Sequence, residues 1–372
     1  MSVNLSAALV KPVALFLITV GLFGSAAWGP CAEITLHPKA TEYPAPCPGP
    51  FVHAADGAIV SLAGNSVYIS RDGGKEWTSA PVLDAEKFSL GDREIVCSKS
   101  GVIVCVFCNG KEIRQGEGWN KGSVSDWEIP VYSIRSVDNG KTWSEPVAIQ
   151  RDWVGAMRAA VALSTGRIVI ATMALVPWHH VIPVWYSDDD GQSWVRSEII
   201  DMEGSIINDH DGAMEPKLVE LTDGSVFMLI RTTRGTFWRS ISTDGGVTWS
   251  KPESTGIENN NSFGELARLR DGRLILIWNR DEKFPAFNYT PDPNDWGVEE
   301  LSYSWIRRRN KLSAAFSSDD GQTWTDPVVI AQTPDEKFWI AYTIFFEPEP
   351  GVFWMTTGQG GVKLSIREED LR

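Results

Sequence analysis

Short apolar runs, each ending in a serine and a polar turn, recur along the chain and predict β-strands. Five runs share this form and lie at Ser66–Ser70, Val131–Ser136, Pro183–Ser187, Phe237–Ser242 and Leu312–Ser317. Runs of this length, bounded by turn residues, are typical of strands. No stretch of the sequence shows the apolar spacing of a long amphipathic helix. The pattern therefore predicts an all-β protein.

Each run leads into a copy of one eight-residue phrase, Ser-x-Asp-x-Gly-x-(Thr/Ser)-Trp. The copies lie at Ser70–Trp77, Ser136–Trp143, Ser187–Trp194, Ser242–Trp249 and Ser317–Trp324, and the first has Glu76 in place of the threonine. The aspartate offers an acceptor to the amides of its own turn, and the glycine two residues later can adopt positive φ. The tryptophan supplies a large apolar plate that fits between packed sheets. Five copies indicate a structural repeat built on a hairpin turn.

The spacing of the repeat indicates a β-propeller. The aspartates of successive copies are 51 to 75 residues apart. This interval holds a four-stranded antiparallel blade with its loops, and it exceeds the roughly 33–47 residues of helical solenoid repeats.

The phrase is the Asp box, and from about Phe51 to its end the chain resembles the sialidase (neuraminidase) superfamily. The resemblance implies an all-β, six-bladed β-propeller with four-stranded antiparallel blades over residues 51–372. It also implies that the Asp boxes lie on the face away from the active site. They therefore identify the architecture and carry no catalytic information.

The six blades are marked by a glycine in the turn after each first strand. These glycines are Gly57, Gly101, Gly166, Gly224, Gly272 and Gly351, and the sixth blade lacks an Asp box. Residues 28–50 form a lead rich in proline. The run Glu33–His37 within this lead is predicted to pair with the last strand, Val362–Ile366, and so to close the ring and remove two sheet edges.

Candidate functional residues lie at the starts of the first strands, which face the central channel of a propeller. Arg93 and Arg158 stand eight residues before the turn glycines of their blades, and Glu215 and Tyr342 stand nine before theirs. Matching positions on different blades converge on the channel, so these side chains are expected to meet. For each residue taken alone, a strand cap or a rim contact is the alternative interpretation.

The resemblance assigns roles to several of these residues. It implies that Tyr342 is the nucleophile, that Glu215 activates it, and that Arg231 binds a substrate carboxylate. Arg309 resembles another arginine of the same clamp, with Arg307 and Arg308 beside it as alternatives.

Two positions of the family pattern have no direct counterpart. Blade one has no arginine before Arg71, which lies inside an Asp box, so Arg93 or Arg158 is expected to complete the clamp. Asp92 is the first candidate for the acid/base, because it precedes Arg93 at a strand start that faces the channel. Asp209 and Asp211 are the second candidates.

Such a set of residues supports hydrolysis of an α-ketoside of sialic acid. That sugar carries a carboxylate on its anomeric carbon, and this charge would repel a carboxylate nucleophile. A tyrosine activated by a glutamate avoids the repulsion, because it brings less negative charge close to the substrate carboxylate. Arginines bind the substrate carboxylate as bidentate forks. The alternative function is a propeller that binds a glycan without cleaving it, having kept the fold and lost the clamp. Neither function requires a metal or cofactor.

Composition and the N-terminal sequence limit the possible binding partners and the location of the protein. The net charge of −14 argues against nucleic acid or an anionic membrane surface as a partner. Residues 1–27 have the form of a secretory signal, with Lys11, an apolar run from Pro12 to Phe23, and small residues up to Ala27. The apolar run is shorter than the roughly 20 residues of a membrane-spanning helix. A secreted or periplasmic protein without a membrane span is expected.

The cysteines and histidines indicate no metal site. Cys31 and Cys47 are candidates for a disulfide bond in an oxidising compartment, whereas Cys97, Cys105 and Cys108 lie in strand-rich sequence and are expected to be buried. The pair His179–His180 is expected to be a rim contact.

Overall fold

The computed structural model describes residues 33–114, 127–176, 179–202, 212–282, 285–288 and 308–371. Over these ranges the chain forms strands in six antiparallel sheets and two 3₁₀ turns, Gly110–Glu112 and Glu368–Leu371. The predicted all-β, six-bladed propeller is confirmed. The predicted signal segment, residues 1–27, lies outside the described residues. No helix in the described part of the chain is long and apolar enough to cross a membrane.

Each sheet is one blade, and its strands follow one another in sequence order. Strand β1 is Thr35–Leu36, which precedes blade one. Blade one comprises β2 (Phe51–His53), β3 (Ile59–Ala63), β4 (Ser66–Ser70) and β5 (Thr78–Pro81). Blade two comprises β6 (Leu90–Cys97), β7 (Ile103–Asn109), β8 (Val131–Ser136) and β9 (Val147–Gln150). Blade three comprises β10 (Ala156–Ala162), β11 (Ile168–Val176), β12 (His179–Ser187) and β13 (Val195–Ile200).

The second half of the ring follows the same plan, with changes in blades five and six. Blade four comprises β14 (Met214–Glu220), β15 (Val226–Arg231), β16 (Thr236–Ser242) and β17 (Glu253–Glu258). Blade five comprises β18 (Glu265–Arg268), β19 (Leu274–Asn279), β20 (Lys311–Ser317) and β21 (Val328–Gln332), with β1 added at its outer edge. Blade six comprises three described strands, β22 (Ala341–Glu349), β23 (Val352–Gln359) and β24 (Lys363–Arg367).

The first strands of the six blades form a closed ring around the channel. Each of β2, β6, β10, β14 and β18 contacts the first strand of the next blade, and β22 contacts β2. Third strands run parallel to first strands, so the Asp boxes that end them lie on the face opposite to the starts of the first strands. The Asp-box turns and the candidate site therefore occupy opposite faces.

The fullest Asp box shows why the phrase needs its particular residues. Asp244 Oδ1 accepts hydrogen bonds from the amides of Val247 and Thr248 at 3.0 and 2.9 Å, and Thr248 Oγ1 donates to Asp244 Oδ2 at 2.6 Å. Gly246 has a φ of +87°, and a Cβ there would lie 2.8 Å from Val169 of blade three. Only glycine fits this turn where it meets the preceding blade.

The five Asp-box tryptophans pack between blades, as the sequence predicts. Each ring is half-buried and joins a core cluster that includes residues of the preceding blade. Trp194 of blade three, for example, donates from Nε1 to Ser133 Oγ of blade two at 3.0 Å.

The predicted pairing of Glu33–His37 with the last strand is wrong. Thr35 and Leu36 pair instead with Gln332 and Ala331 of β21 in blade five. The contact between the lead and blade six is made later, where Thr41 forms a bridge with Ser365 of β24. Because Thr41 takes that place, the residues before it continue to the edge of the neighbouring blade.

The cysteines and histidines of the described chain hold no metal cluster. Cys47, Cys105 and Cys108 are buried and unpaired, and Cys97 is half-buried; Cys31 lies outside the described residues. His179 Nε2 lies 2.9 Å from Asp201 Oδ1. Within the described ranges no three potential metal ligands come together.

Candidate active site

Three candidate residues lie at irregularities near the starts of first strands. The pairing register shifts between Leu90 and Arg93 in β6, between Ala156 and Ala159 in β10, and between Met214 and Lys217 in β14. In each case one more residue lies on the first strand than on its partner, which is the definition of a β-bulge. Asp92, Arg158 and Glu215 occupy these bulges. Since bulges redirect side chains, they explain how three blades present charged groups at one place.

Tyr342 completes the group from blade six. Its hydroxyl donates to Glu215 Oε1 at 3.1 Å. Both residues have positive φ, +61° for Tyr342 and +36° for Glu215. Such backbone geometry is rare for residues other than glycine, costs about 1–3 kcal/mol, and concentrates at functional sites. Phe263 of the connection to blade five stacks on the Tyr342 ring at a centroid distance of 6.1 Å.

Arg231 and Arg309 lie on either side of this pair. Arg231 ends β15 and donates from Nη1 to Glu215 Oε2 at 2.6 Å. Arg309 precedes β20, and its Cζ lies 5.5 Å from the Tyr342 ring centroid and 4.7 Å from that of Trp339. Both arginines are buried, and the Arg309 Nε has no hydrogen-bond partner among the described residues. The Arg158 Nε has no partner among these residues either, so two guanidinium groups beside Tyr342 keep a donor that the described side chains and backbone do not use.

Arg158 approaches the tyrosine ring from blade three. Its Cζ lies 4.8 Å from the Tyr342 ring centroid, and its Nη2 donates to Asp92 Oδ1 at 2.6 Å. The Asp92 side chain remains 29% exposed. The acid/base candidate is thus half-buried and held by one cation of the cluster.

Arg93 does not join the cluster, although the sequence predicts it as an alternative to Arg158. Its Nε donates to the Leu62 carbonyl at 2.6 Å, Nη1 to Gly91 at 3.1 Å and Nη2 to Gly49 at 2.8 Å. Three carbonyls from the lead, blade one and blade two therefore occupy its donors. Asp92 lies in the site instead of Arg93, because the bulge in β6 directs the residue before the arginine toward the channel.

The remaining alternatives are also placed or set aside. Arg308 pairs with Asp281 at 3.4 Å and with Glu336 at 3.1 Å. It supports the connection beside Arg309 and faces other carboxylates. Arg307, Asp209 and Asp211 lie outside the described residues.

The surroundings of the site shift the pKa values of its two carboxyl groups in opposite directions. Burial alone raises the pKa of Glu215, but the charge and hydrogen bond of Arg231, with Arg158 and Arg309, lower the pKa below its usual value. Burial raises the pKa of Asp92, and Arg158 does not offset this effect. Burial also lowers the pKa of Arg309. The pKa of Glu215, beside the phenol, is therefore shifted downward and that of Asp92, beside Arg158, upward.

Two features of the site have no counterpart in the sequence prediction. Asn261, with a φ of +57°, accepts hydrogen bonds from both Arg231 and Arg309, and the run of three asparagines before Phe263 is the only signal for it. Two residues after Glu215 on β14, Lys217 lies 2.8 Å from Glu94 and 3.0 Å from Glu265. Burial raises the pKa of Glu265 to about 7 even beside this lysine.

Tyr342, Glu215 and Arg158 lie on first strands, whereas Arg231 ends a second strand and Arg309 precedes a third. The six-bladed propeller that carries them has the architecture of the sialidase superfamily. The sequence matches the BNR repeat-like domain family over residues 66–349, which is about three quarters of the chain. The protein belongs to this family.

Solved structures agree on the fold. The chain is similar to a protein of unknown function from Dyadobacter fermentans, with 15% identity, a TM-score of 0.57, and coverage of 90% of this chain and 96% of the other. It is also similar to a Hadza microbial sialidase, with 16% identity, a TM-score of 0.59, and coverage of 90% of this chain and 67% of the other. A third similar structure is Trypanosoma rangeli sialidase in complex with sialic acid, with 15% identity, a TM-score of 0.54, and coverage of 89% of this chain and 57% of the other. At these identities the likeness concerns the fold alone.

Proposed function

We propose that this protein is a glycoside hydrolase that releases a terminal acidic sugar from glycans, with sialic acid as the first substrate to test. The observation that carries the proposal is the 3.1 Å hydrogen bond from the Tyr342 hydroxyl to Glu215 inside a cluster of three guanidinium groups. A tyrosine bonded to a base is an activated nucleophile, and the cations around it suit a substrate that carries a carboxylate next to the reacting carbon.

The charge of the cluster supports one anionic group on the ligand. Arg158, Arg231 and Arg309 carry three positive charges, and Glu215 and Asp92 carry at most two negative ones. Arg231 pairs with Glu215 and Arg158 with Asp92. Arg309 has no carboxylate within salt-bridge distance among the described residues, so it is the expected primary partner of the substrate carboxylate, with Arg231 and Arg158 beside it.

The proposed reaction proceeds in two steps. The Tyr342 oxygen attacks the anomeric carbon while Glu215 accepts the phenolic proton, and the departing glycosidic oxygen takes a proton from Asp92. Water then attacks the anomeric carbon of the glycosyl-tyrosine. Asp92 accepts a proton from that water, and the phenolate regains its proton from Glu215. The low pKa of Glu215 and the raised pKa of Asp92 match these opposite starting states.

A second candidate function is an acidic-glycan-binding propeller without turnover. The observation that favours it is the absence of any arginine from β2 of blade one, combined with the use of Arg93 on three carbonyls. A ligand carboxylate would then meet a clamp assembled from blades three, four and five. Binding needs only this clamp, whereas turnover also needs the Tyr342–Glu215 pair and an acid.

We further propose that the protein is exported, on the basis of the signal-like residues 1–27. N-terminal sequencing of the protein expressed with these residues tests this, because export with processing predicts a chain that starts at Trp28. A chain that keeps residues 1–27 contradicts it.

A hydrolysis assay separates the two functions. Wild-type protein is incubated with fluorogenic α-ketosides of sialic acid and with β-glucuronides and neutral galactosides of the same fluorophore. Hydrolysis is expected for an acidic sugar and not for the neutral one. Binding of free sialic acid by calorimetry without any cleavage would support the binding module instead, and neither binding nor cleavage of any acidic sugar would contradict both functions.

A further inference from the structure

The connection between blades four and five contains four consecutive buried polar residues, Asn259–Ser262. Its ends bond to each other, because the Ser262 amide donates to Asn259 Oδ1 at 3.0 Å and Asn259 Nδ2 donates to the Ser262 carbonyl at 3.1 Å. The Asn259 amide donates to the Gly235 carbonyl of blade four at 2.9 Å. Asn260 Nδ2 donates to the Arg308 carbonyl, which precedes β20 of blade five. The segment is thus attached to both blades.

Asn261 lies inside this attached segment and contacts two arginines of the site. Its Oδ1 accepts from Arg231 Nε at 2.9 Å, and its backbone carbonyl accepts from Arg309 Nη2 at 2.9 Å. The side chain is buried, and the backbone has a φ of +57°. Asparagine is one of the few residues that adopt this conformation readily. One residue therefore holds a guanidinium group from each of two blades.

We propose that Asn261 is a positioning residue that orients Arg231 and Arg309 toward a single ligand carboxylate. A guanidinium forms two parallel bonds with a carboxylate only when its plane is correctly turned. Arg231 is already bonded to Glu215 through Nη1, and the second bond from Nε fixes the plane of the group. For Arg309 the Asn261 carbonyl is an anchor that leaves Nε without a partner. Arginines held in advance lose less conformational entropy when the ligand binds.

This inference rests on the proposed function only for the identity of the ligand. The competing view is that Asn261 serves the loop alone, in which case its side chain would affect folding and not the arginines. A variant that keeps the backbone conformation distinguishes the two views. Asn261→Gly keeps positive φ and the carbonyl that holds Arg309, and it removes only the acceptor for Arg231.

The expected result is a selective loss of affinity. Calorimetry with free sialic acid should show binding to Asn261→Gly weakened about tenfold or more, as expected for a lost hydrogen bond to a charged group. Asn139→Gly is the matched control, because Asn139 has a φ of +59° in the Asp-box turn of blade two on the other face. That control should bind sialic acid like the wild type. Equal affinity of Asn261→Gly and wild type would overturn the inference.

A second measurement reads the arginine directly and does not depend on the ligand. In the wild type the Nε–H proton of Arg231, assigned by its loss in Arg231→Lys, should exchange slowly with water in nuclear magnetic resonance spectra. Asn261→Gly should lose this protection, whereas Asn261→Asp should keep it, since aspartate retains the acceptor. Asn261→Asp should nevertheless bind sialic acid poorly, because its charge cancels the surplus positive charge of the site.

The two measurements separate failure of the inference from failure of the function. If the wild type binds no sialic acid, the proposed substrate is wrong, and the Arg231 Nε–H signal alone decides the role of Asn261. Loss of protection in Asn261→Gly would then still support positioning. Unchanged protection in Asn261→Gly would overturn it whatever the ligand.

Discussion

At the scale of single residues, the site depends on pairs whose members come from distant parts of the sequence. Glu215 and Tyr342 stand at the same distance from their turn glycines, and their side chains meet at 3.1 Å. Sequence position therefore predicted this pair. The partners of Arg231 and Arg309 at Asn261 were not predictable, because they depend on how one short connection turns between two blades.

Replacement of the tyrosine tests the nucleophile. Tyr342→Phe keeps the ring that stacks with Phe263 and lies beneath Arg158, so the melting temperature should stay close to that of the wild type. The rate of hydrolysis should fall by two or more orders of magnitude, roughly the effect of losing a positioned acid or base. The kcat on a fluorogenic sialoside measures this. Tyr186→Phe, on the third strand of blade three, is the control and should keep full activity. Wild-type turnover by Tyr342→Phe would exclude the tyrosine mechanism.

The ion pair between Arg158 and Asp92 predicts a shift in the pH profile. The proposed mechanism requires an ionised Glu215, whose pKa lies below its usual value, and a protonated Asp92, whose pKa is raised. The rate should therefore rise with pH as Glu215 ionises and fall as Asp92 loses its proton. Arg158 stabilises the ionised form of Asp92, so Arg158→Gln should raise this pKa and move the alkaline limb to higher pH.

The profile of kcat/KM against pH measures this shift in the free enzyme. Arg196→Gln is a matched control, because Arg196 lies on an outer strand of blade three, against Trp185. An alkaline limb that stays in place in Arg158→Gln would show that Asp92 is not the titrating acid.

At the scale of secondary-structure elements, the bulges explain one success and one error of prediction. Arg93 and Arg158 stand at equal distances from their turn glycines, yet only Arg158 reaches the site. Side chains alternate along a strand, so a difference of one residue in a bulge exchanges the two faces. In β6 this places Asp92 in the site and turns Arg93 toward carbonyls. The repeat predicts where the strands begin, but it does not predict which residue of a first strand is the extra one in the bulge.

The Asp-box turns predict a specific sensitivity to acid. Burial alone would raise the pKa of Asp244, but hydrogen bonds from the hydroxyl and the amide of Thr248 lower this pKa to about 2. A carboxyl whose pKa is lower in the folded state stabilises the fold above its unfolded pKa, near 4, and loses this effect as pH falls toward 2. Asp244 is exposed, so solvent screens its charge, and Asp244→Ala should lower the free energy of unfolding at pH 7 by only about 1 kcal/mol, as for other capping side chains.

Urea unfolding at pH 7 and at pH 3 measures this difference. The gap between wild type and Asp244→Ala should be smaller at pH 3. Asp326→Ala, an exposed aspartate in the loop before β21, is the control and should change stability little at either pH. A gap of equal size at both pH values would show that the carboxylate charge contributes nothing to the turn.

At the scale of the whole molecule, the ring is closed by side chains and the lead rather than by a shared sheet. Thr356 Oγ1 donates to the Pro48 carbonyl at 2.7 Å, and Phe51 packs on Trp354 of blade six at a centroid distance of 5.7 Å. Arg93 joins the lead to blades one and two through its three carbonyls. The repeat in the sequence predicted six blades. It carried no information on this closure, because the closing contacts fall outside the repeated phrase.

Two arginine variants separate the closure of the ring from the chemistry of the site. Arg93→Met removes the donors to three carbonyls in a largely buried place and should lower the free energy of unfolding by about 2–4 kcal/mol. Its KM for a sialoside should remain close to the wild-type value, since Arg93 bonds no residue of the cluster. Arg231→Lys should do the opposite: a lysine cannot reproduce the fork, so KM should rise at least about tenfold with a smaller loss of stability. Thermal unfolding and steady-state kinetics of both variants test this separation. A raised KM in Arg93→Met, at a temperature where the variant is folded, would show that Arg93 takes part in substrate binding.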